Sequence, residues 1–129
     1  MNFNLSPFKW QKEMDIIMEN VSLDKIEFTD VNIVTFGFSD IYTGKEYKTL
    51  ICNNVWRFCH ENIIEKDEGF PIFIGDVRMK RLASNRDVVS AFKYLKYGFC
   101  IPDGCEYHLV CIDSGDISIS LICETASVL

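Results

Sequence analysis

Two apolar runs, E-Y-H-L-V-C-I (106–112) and I-S-I-S-L-I-C (117–123), flank the polar stretch Asp113-Ser114-Gly115-Asp116. Short runs rich in Val and Ile, separated by a Gly-containing turn, specify a β-hairpin. Such a hairpin is not stable alone in water and requires further strands or a packed helix. The rest of the chain supplies both. Thr43-Gly44-Lys45 reads as a second turn, with E-Y-K-T-L-I-C as its return strand. Upstream, two β segments are expected near 25–29 and 31–39, where Val31, Ile33 and Thr35 alternate with Asn32, Val34 and Phe36. I-F-I-G-D-V-R-M-K-R-L (72–82) alternates Val77 and Met79 with Arg78 and Lys80, as a half-exposed strand does. V-W-R-F-C-H (55–60) fits either period; we read it as strand. The stretch from Glu61 to Gly69 reads as a loop.

Helical spacing is expected in two places. Ser6-Pro7 is a helix-start pair, and Phe8, Met14, Ile17, Met18 and Val21 follow near a 3.6-residue period, predicting a helix over about 7–21. Ser84 caps a second helix over about 85–96, with Asp87 in the first turn and Val88, Val89, Phe92 and Leu95 facing a core. Lys93 and Lys96 suit its C-terminal dipole, and Gly98 is the expected C-cap. The pattern predicts an α+β fold: a single domain over 1–129 with a largely antiparallel sheet of about six strands and two main helices, packed on one face. A chain of 129 residues, 48% hydrophobic, is large enough to bury a core of its own.

The N-terminal M-N-F-N-L-S-P-F-K-W-Q-K lacks a basic patch followed by an apolar segment, and no run approaches the length of a membrane span. A cytosolic protein with no membrane partner is the expectation. Six cysteines are then expected to be reduced. Cys52, Cys111 and Cys123 sit within apolar runs, where free Cys acts as a small buried hydrophobe. Cys100 and Cys105, across the Pro102–Gly104 turn, are the best-placed pair for a reversible disulfide.

Cys59-His60 invites a catalytic or metal reading. Neighbours in sequence point to opposite faces of a strand and diverge by about 100° on a helix, so each would need a distant partner. Packed core is the plainer reading. No close Cys/His pair of zinc type is present, and His60-Glu61 leads to Ile64 where an H-E-x-x-H motif needs His. Phosphate-binding loops, dinucleotide turns and nucleophile elbows are absent from the sequence. No catalytic residue, metal, cofactor or small-molecule ligand is therefore assigned.

Charge says more. The net charge is −6, and residues 97–129 hold Asp103, Glu106, Asp113, Asp116 and Glu124 with no Lys or Arg. The 61–68 loop adds Glu61, Glu65, Asp67 and Glu68 against Lys66 alone. Singly, such residues are solvated surface. Together they build a field of one sign that steers a basic partner. Nucleic acid is a poor partner, since the cations of 72–96 are divided between a strand and a helix within an acidic whole.

The Phe28–Asp40 stretch, F-x-D-V-x-I-x-x-F-x-F-x-D, running on to K-x-L-I-C-N-N-V at Lys48–Val55 in a small acidic chain, resembles bacterial immunity proteins of contact-dependent growth inhibition and related polymorphic-toxin systems. The resemblance implies a non-catalytic inhibitor that binds one cognate toxin domain, in many such systems a nuclease, by protein–protein contact. A buried anchor beside an acidic rim would then be needed. Trp56 and Phe70 with Glu61, Glu65, Asp67 and Glu68 could provide it, as could Tyr107 with Asp103, Glu106, Asp113 and Asp116. A different protein-interaction module is the alternative class; an enzyme ranks last.

Overall fold

A computed structural model describes residues 14–62, 72–96, 106–114 and 117–129. It contains six strands, β1 (Asp15–Asp30), β2 (Ile33–Asp40), β3 (Glu46–Asn62), β4 (Ile72–Leu82), β5 (Tyr107–Asp113) and β6 (Ile117–Val128), with one helix, α1 (Asn85–Tyr94), between β4 and β5. Every strand pairing is antiparallel, and the order β1-β2-β3-β6-β5-β4 closes on itself into a barrel. The fold is thus a closed β-barrel carrying a single short helix among the described residues, and the α+β expectation with two main helices is overturned.

The first expected helix is the source of the error. Residues 15–21 belong to β1; residues 7–13 lie outside the described part. Met14, Met18 and Val21 are buried at the spacing of a helix face. In β1 that spacing arises from two breaks in the strand's alternation: a register shift between Ile16 and Met18, and Asn20 at φ 57°. Asn20 falls in register with Gly75 of β4, and Ile74 and Val77 are buried on either side of it. Both strands change phase together there, which turns the barrel wall. Asn tolerates the left-handed conformation better than other non-Gly residues.

Asn54, at φ 54°, performs the same task in β3. Before it, β3 pairs with β2 and with the end of β6; after it, with the start of β6 alone. The β3–β6 ribbon therefore joins two sheets. One contains β2 and the second half of β1; the other contains β4, β5 and the first half of β1. Phe36, Phe38, Leu50, Ile74, Ile112 and Leu121 fill the space between them. Cys52 and Cys123 are also fully buried there, and the structure contains both as free thiols.

Glu61 and Asn62, expected to open a loop, instead end β3, paired with Ser118 and Ile117 of β6, while several other sequence expectations hold more closely. β4 covers 72–82, the 55–60 stretch is strand, and both hairpins lie where expected. Gly44, at φ 73°, turns the β2–β3 connection, with its N–H donating to the Asp40 carbonyl at 2.9 Å. Ser84 caps α1 by accepting from the Asp87 amide at 3.1 Å. At the other end the left-handed residue is Lys96, at φ 58°, whose N–H donates to the Lys93 carbonyl at 2.9 Å. Gly98, the expected cap, lies outside the described residues, as do Cys100 and Cys105.

The helix covers one patch of the barrel's outer surface. Val88, Ala91, Phe92 and Leu95 seat on Leu82, Tyr107, Leu109 and Ile122 to form a second core. This explains the unbroken apolar run of β5: its residues are buried on both faces, inside the barrel and beneath the helix.

Candidate partner-binding face

The strand registers bring carboxylates together that the sequence scatters. Glu19 lies opposite Asp76, Asp76 opposite Asp113, Asp113 opposite Ser118, and Ser118 opposite Glu61. These five residues cross β1, β4, β5, β6 and β3 in one row at the surface. At about 4.8 Å per strand the row is roughly 19 Å long. Like charges directly opposed, as at Asp76 and Asp113, oppose folding. Arg78 relieves part of that repulsion, with Nη2 3.1 Å from Asp76 Oδ2. The Ser118 hydroxyl donates to Asp113 Oδ1 at 2.9 Å. Desolvation against the sheet nevertheless raises the Asp113 carboxyl above the usual aspartate range; Ser118 and Arg78 oppose the shift and Asp76 adds to it.

Beside this row α1 ends. Arg57 donates from Nε to the Leu95 carbonyl at 2.8 Å, and the Cys59 thiol donates to the same oxygen at 3.6 Å. Arg57 thus satisfies a carbonyl that the helix itself leaves unpaired. A cleft of about 340 Å³ opens here, lined by Arg57, Cys59, Glu61, Tyr94, Leu95, Lys96, Ser118 and Ser120. The Tyr94 phenol is pushed up to about 12, first by burial and then by Cys111, Asp113, Glu61 and Cys59 around it. Asp113 and Glu61 are the acidic groups beside this cleft, and Arg57 and Lys96 are the cations in its lining. The helix C-terminus carries a partial negative charge and ends at the same cleft.

The sequence-expected residues fall into separate groups. Glu61 and Asp113 both join the row. Glu106, by contrast, is paired with Arg81, which holds its carboxyl below the usual glutamate range. Tyr107 is fully buried, edge-on to Phe92 at 5.7 Å, so its side chain is core and not an exposed anchor. Its place in an apolar run beneath α1 is the reason. Trp56 is 40% exposed and donates from Nε1 to Glu124 Oε2 at 3.3 Å, five residues along β3 from Glu61. Glu65, Asp67, Glu68, Phe70, Asp103 and Asp116 lie outside the described residues. Glu19, Asp76, Arg78 and Ser118 were not singled out from the sequence, because only the register of five strands aligns them.

Cys59 and His60 turn apart as strand neighbours must. Cys59 faces the helix end, while His60 is exposed and lies in register with Ile119. Cys111 is buried and its thiol is pushed up to about 12 by that burial, which suppresses thiolate chemistry. Among the described residues no group of three His, Cys, Asp or Glu side chains is placed to hold a metal ion. No helix among them is long and apolar enough to cross a membrane.

A crystal structure of an uncharacterized protein from Neisseria gonorrhoeae is similar to this chain, with a TM-score of 0.61 and 25% identity, covering 89% of this chain and 95% of that one. No match is found among curated proteins. A family model described only as "-like" matches residues 16–128, and the chain belongs to that family.

Proposed function

We propose that this member of the family is a non-catalytic inhibitor of the immunity type, which binds a basic toxin domain by protein–protein contact in the cytosol of the cell that makes it. The observation that carries this reading is the acidic row Glu19–Asp76–Asp113–Glu61, set at the C-terminal end of α1. Carboxylates in excess on a rigid sheet, with Arg78 offsetting Asp76 alone within the row, speed the encounter with a basic surface, and a nuclease substrate groove is such a surface. The sheet holds the carboxylates at fixed spacing, so little ordering entropy is lost on binding. Chemistry is not required of any residue in this scheme. The inhibitor works by occupying the toxin's basic groove.

The direct test is co-expression with the C-terminal domain encoded by the adjacent gene. Co-purification and survival of the host are expected; absence of both would reject the reading. Glu61→Lys with Asp113→Lys should slow association by at least about tenfold and flatten its dependence on salt. An unchanged on-rate would remove the row from the interface. Reversing Glu65, Asp67 and Glu68, which lie outside the described residues, tests that sequence stretch separately.

A further inference from the structure

On the outer wall at the β3 corner, a second cavity of about 370 Å³ is lined by Asn32, Asn54, Val55, Trp56 and Glu124. We infer that this pocket is a receptor for a guanidinium group, presented as an arginine side chain on a protein partner. It is separate from the acidic row and stands whether or not the partner is a toxin.

The Glu124 carboxylate is fixed from two sides. Asn54 Nδ2 donates to Oε1 at 3.2 Å, and Trp56 Nε1 donates to Oε2 at 3.3 Å. Both donors are neutral, so they orient the carboxylate and leave its charge in place. Among the described residues no Lys or Arg pairs with it. An ionised carboxylate offers about four lone-pair sites, and two remain for a ligand. The half-exposed Trp56 indole forms the neighbouring wall and is itself braced edge-on by Tyr107 at 6.5 Å.

A pre-oriented carboxylate with an indole in the same pocket suits a planar cation. Guanidinium can pair with the carboxylate through two parallel N–H donors and lie against an indole, whereas an ammonium is a more strongly hydrated point charge. The geometry is also held firmly. Asn32 and Asn54 both take left-handed backbone conformations, at φ 66° and 54°, and the Val55 amide donates to the Asn32 carbonyl at 2.9 Å. The β1–β2 turn is thereby pinned to the corner of β3. An anchor of this kind, in which an aromatic and an arginine meet, is a frequent centre of binding energy in interfaces.

The chain has two tryptophans, Trp10 and Trp56, so Trp10→Phe leaves Trp56 as the only indole reporter. Titration at low ionic strength with Ac-Gly-Arg-Gly-amide should give a saturable change in its emission in the millimolar range. The citrulline peptide, equal in shape but uncharged, should bind at least about tenfold more weakly, as should the arginine peptide to Glu124→Gln. Following the Trp56 indole N–H resonance in the unmodified chain gives the same reading if Trp10→Phe does not fold. Equal responses to arginine and citrulline peptides, an undiminished response in Glu124→Gln, or no response at all would overturn the proposal. An equal response to the lysine peptide would overturn the assignment of guanidinium.

Discussion

The β3–β6 ribbon runs through two halves of the barrel that treat their outer surfaces in opposite ways. Around Phe36 and Leu50, Phe36, Phe38 and Leu50 point inward and Thr35, Thr49 and Ser127 outward, while Gly37 and Ser39 on the outer side are covered by the Lys25 side chain and by Asp24. Among the described residues, side chains alone, with no part of α1, cover that wall. Around Leu109 and Ile122 the outward residues are apolar too, and α1 covers them before the surface turns acidic at Asp113 and Glu61. One continuous pair of strands thus carries both a plain structural wall and a layered, charged one. The difference comes from ten helical residues inserted between β4 and β5. Function is more readily built on the layered half, because the helix supplies clefts and a dipole that a bare sheet lacks.

That contrast can be broken from the covered side first. Phe92→Ala removes the central side chain of the outer core and should cost about 3–5 kcal/mol in urea unfolding, as much as a truncation inside the barrel. A loss below about 1 kcal/mol would mean that the helix is an ornament on an independent barrel. Arg57→Ala frees the Leu95 carbonyl and should cost about 1.5–3 kcal/mol, the range for a hydrogen bond from a charged donor. Asp113→Asn tests the acidic end. Because the folded state raises the Asp113 carboxyl, the native chain gains stability below the usual aspartate range and loses it as pH rises through the raised value. The Asn variant should therefore melt slightly higher at neutral pH, with the gain disappearing in acid; a gain independent of pH would point to packing instead. On the bare side, Ser127→Ala should change stability by no more than about 0.5 kcal/mol.

The halves also differ in how much of them could be read from the sequence. The alternating wall, both turns and α1 with its Ser84 cap follow from local patterns that local forces then obey. The start of β1 did not, because the phase change at Asn20 imitates the period of a helix while obeying the geometry of a barrel corner. Tyr107 was misplaced for a related reason: an apolar run tells of burial without saying that a helix lies on top. The candidate sites are the least legible part. Glu19 meets Asp76, and Asn54 meets Glu124, only through strand pairings between distant segments. Residue type marked Glu61, Asp113 and Trp56 as candidates, but nothing local could say which neighbours each would have.

Closure of the barrel carries a kinetic consequence. The turns at Asn32 and Gly44 join neighbouring strands and can form early, but the β1–β4 and β3–β6 seams pair Asp15 with Met79 and Leu50 with Val128. Such contacts require most of the chain to be ordered before they contribute, so folding is expected on the millisecond-to-second scale typical of non-local β topologies. Until the seams meet, strands that end without a free edge in the barrel are exposed as edges. The newly made chain is then most prone to pair with the wrong partner, and rapid closure matters as much to its survival as final stability.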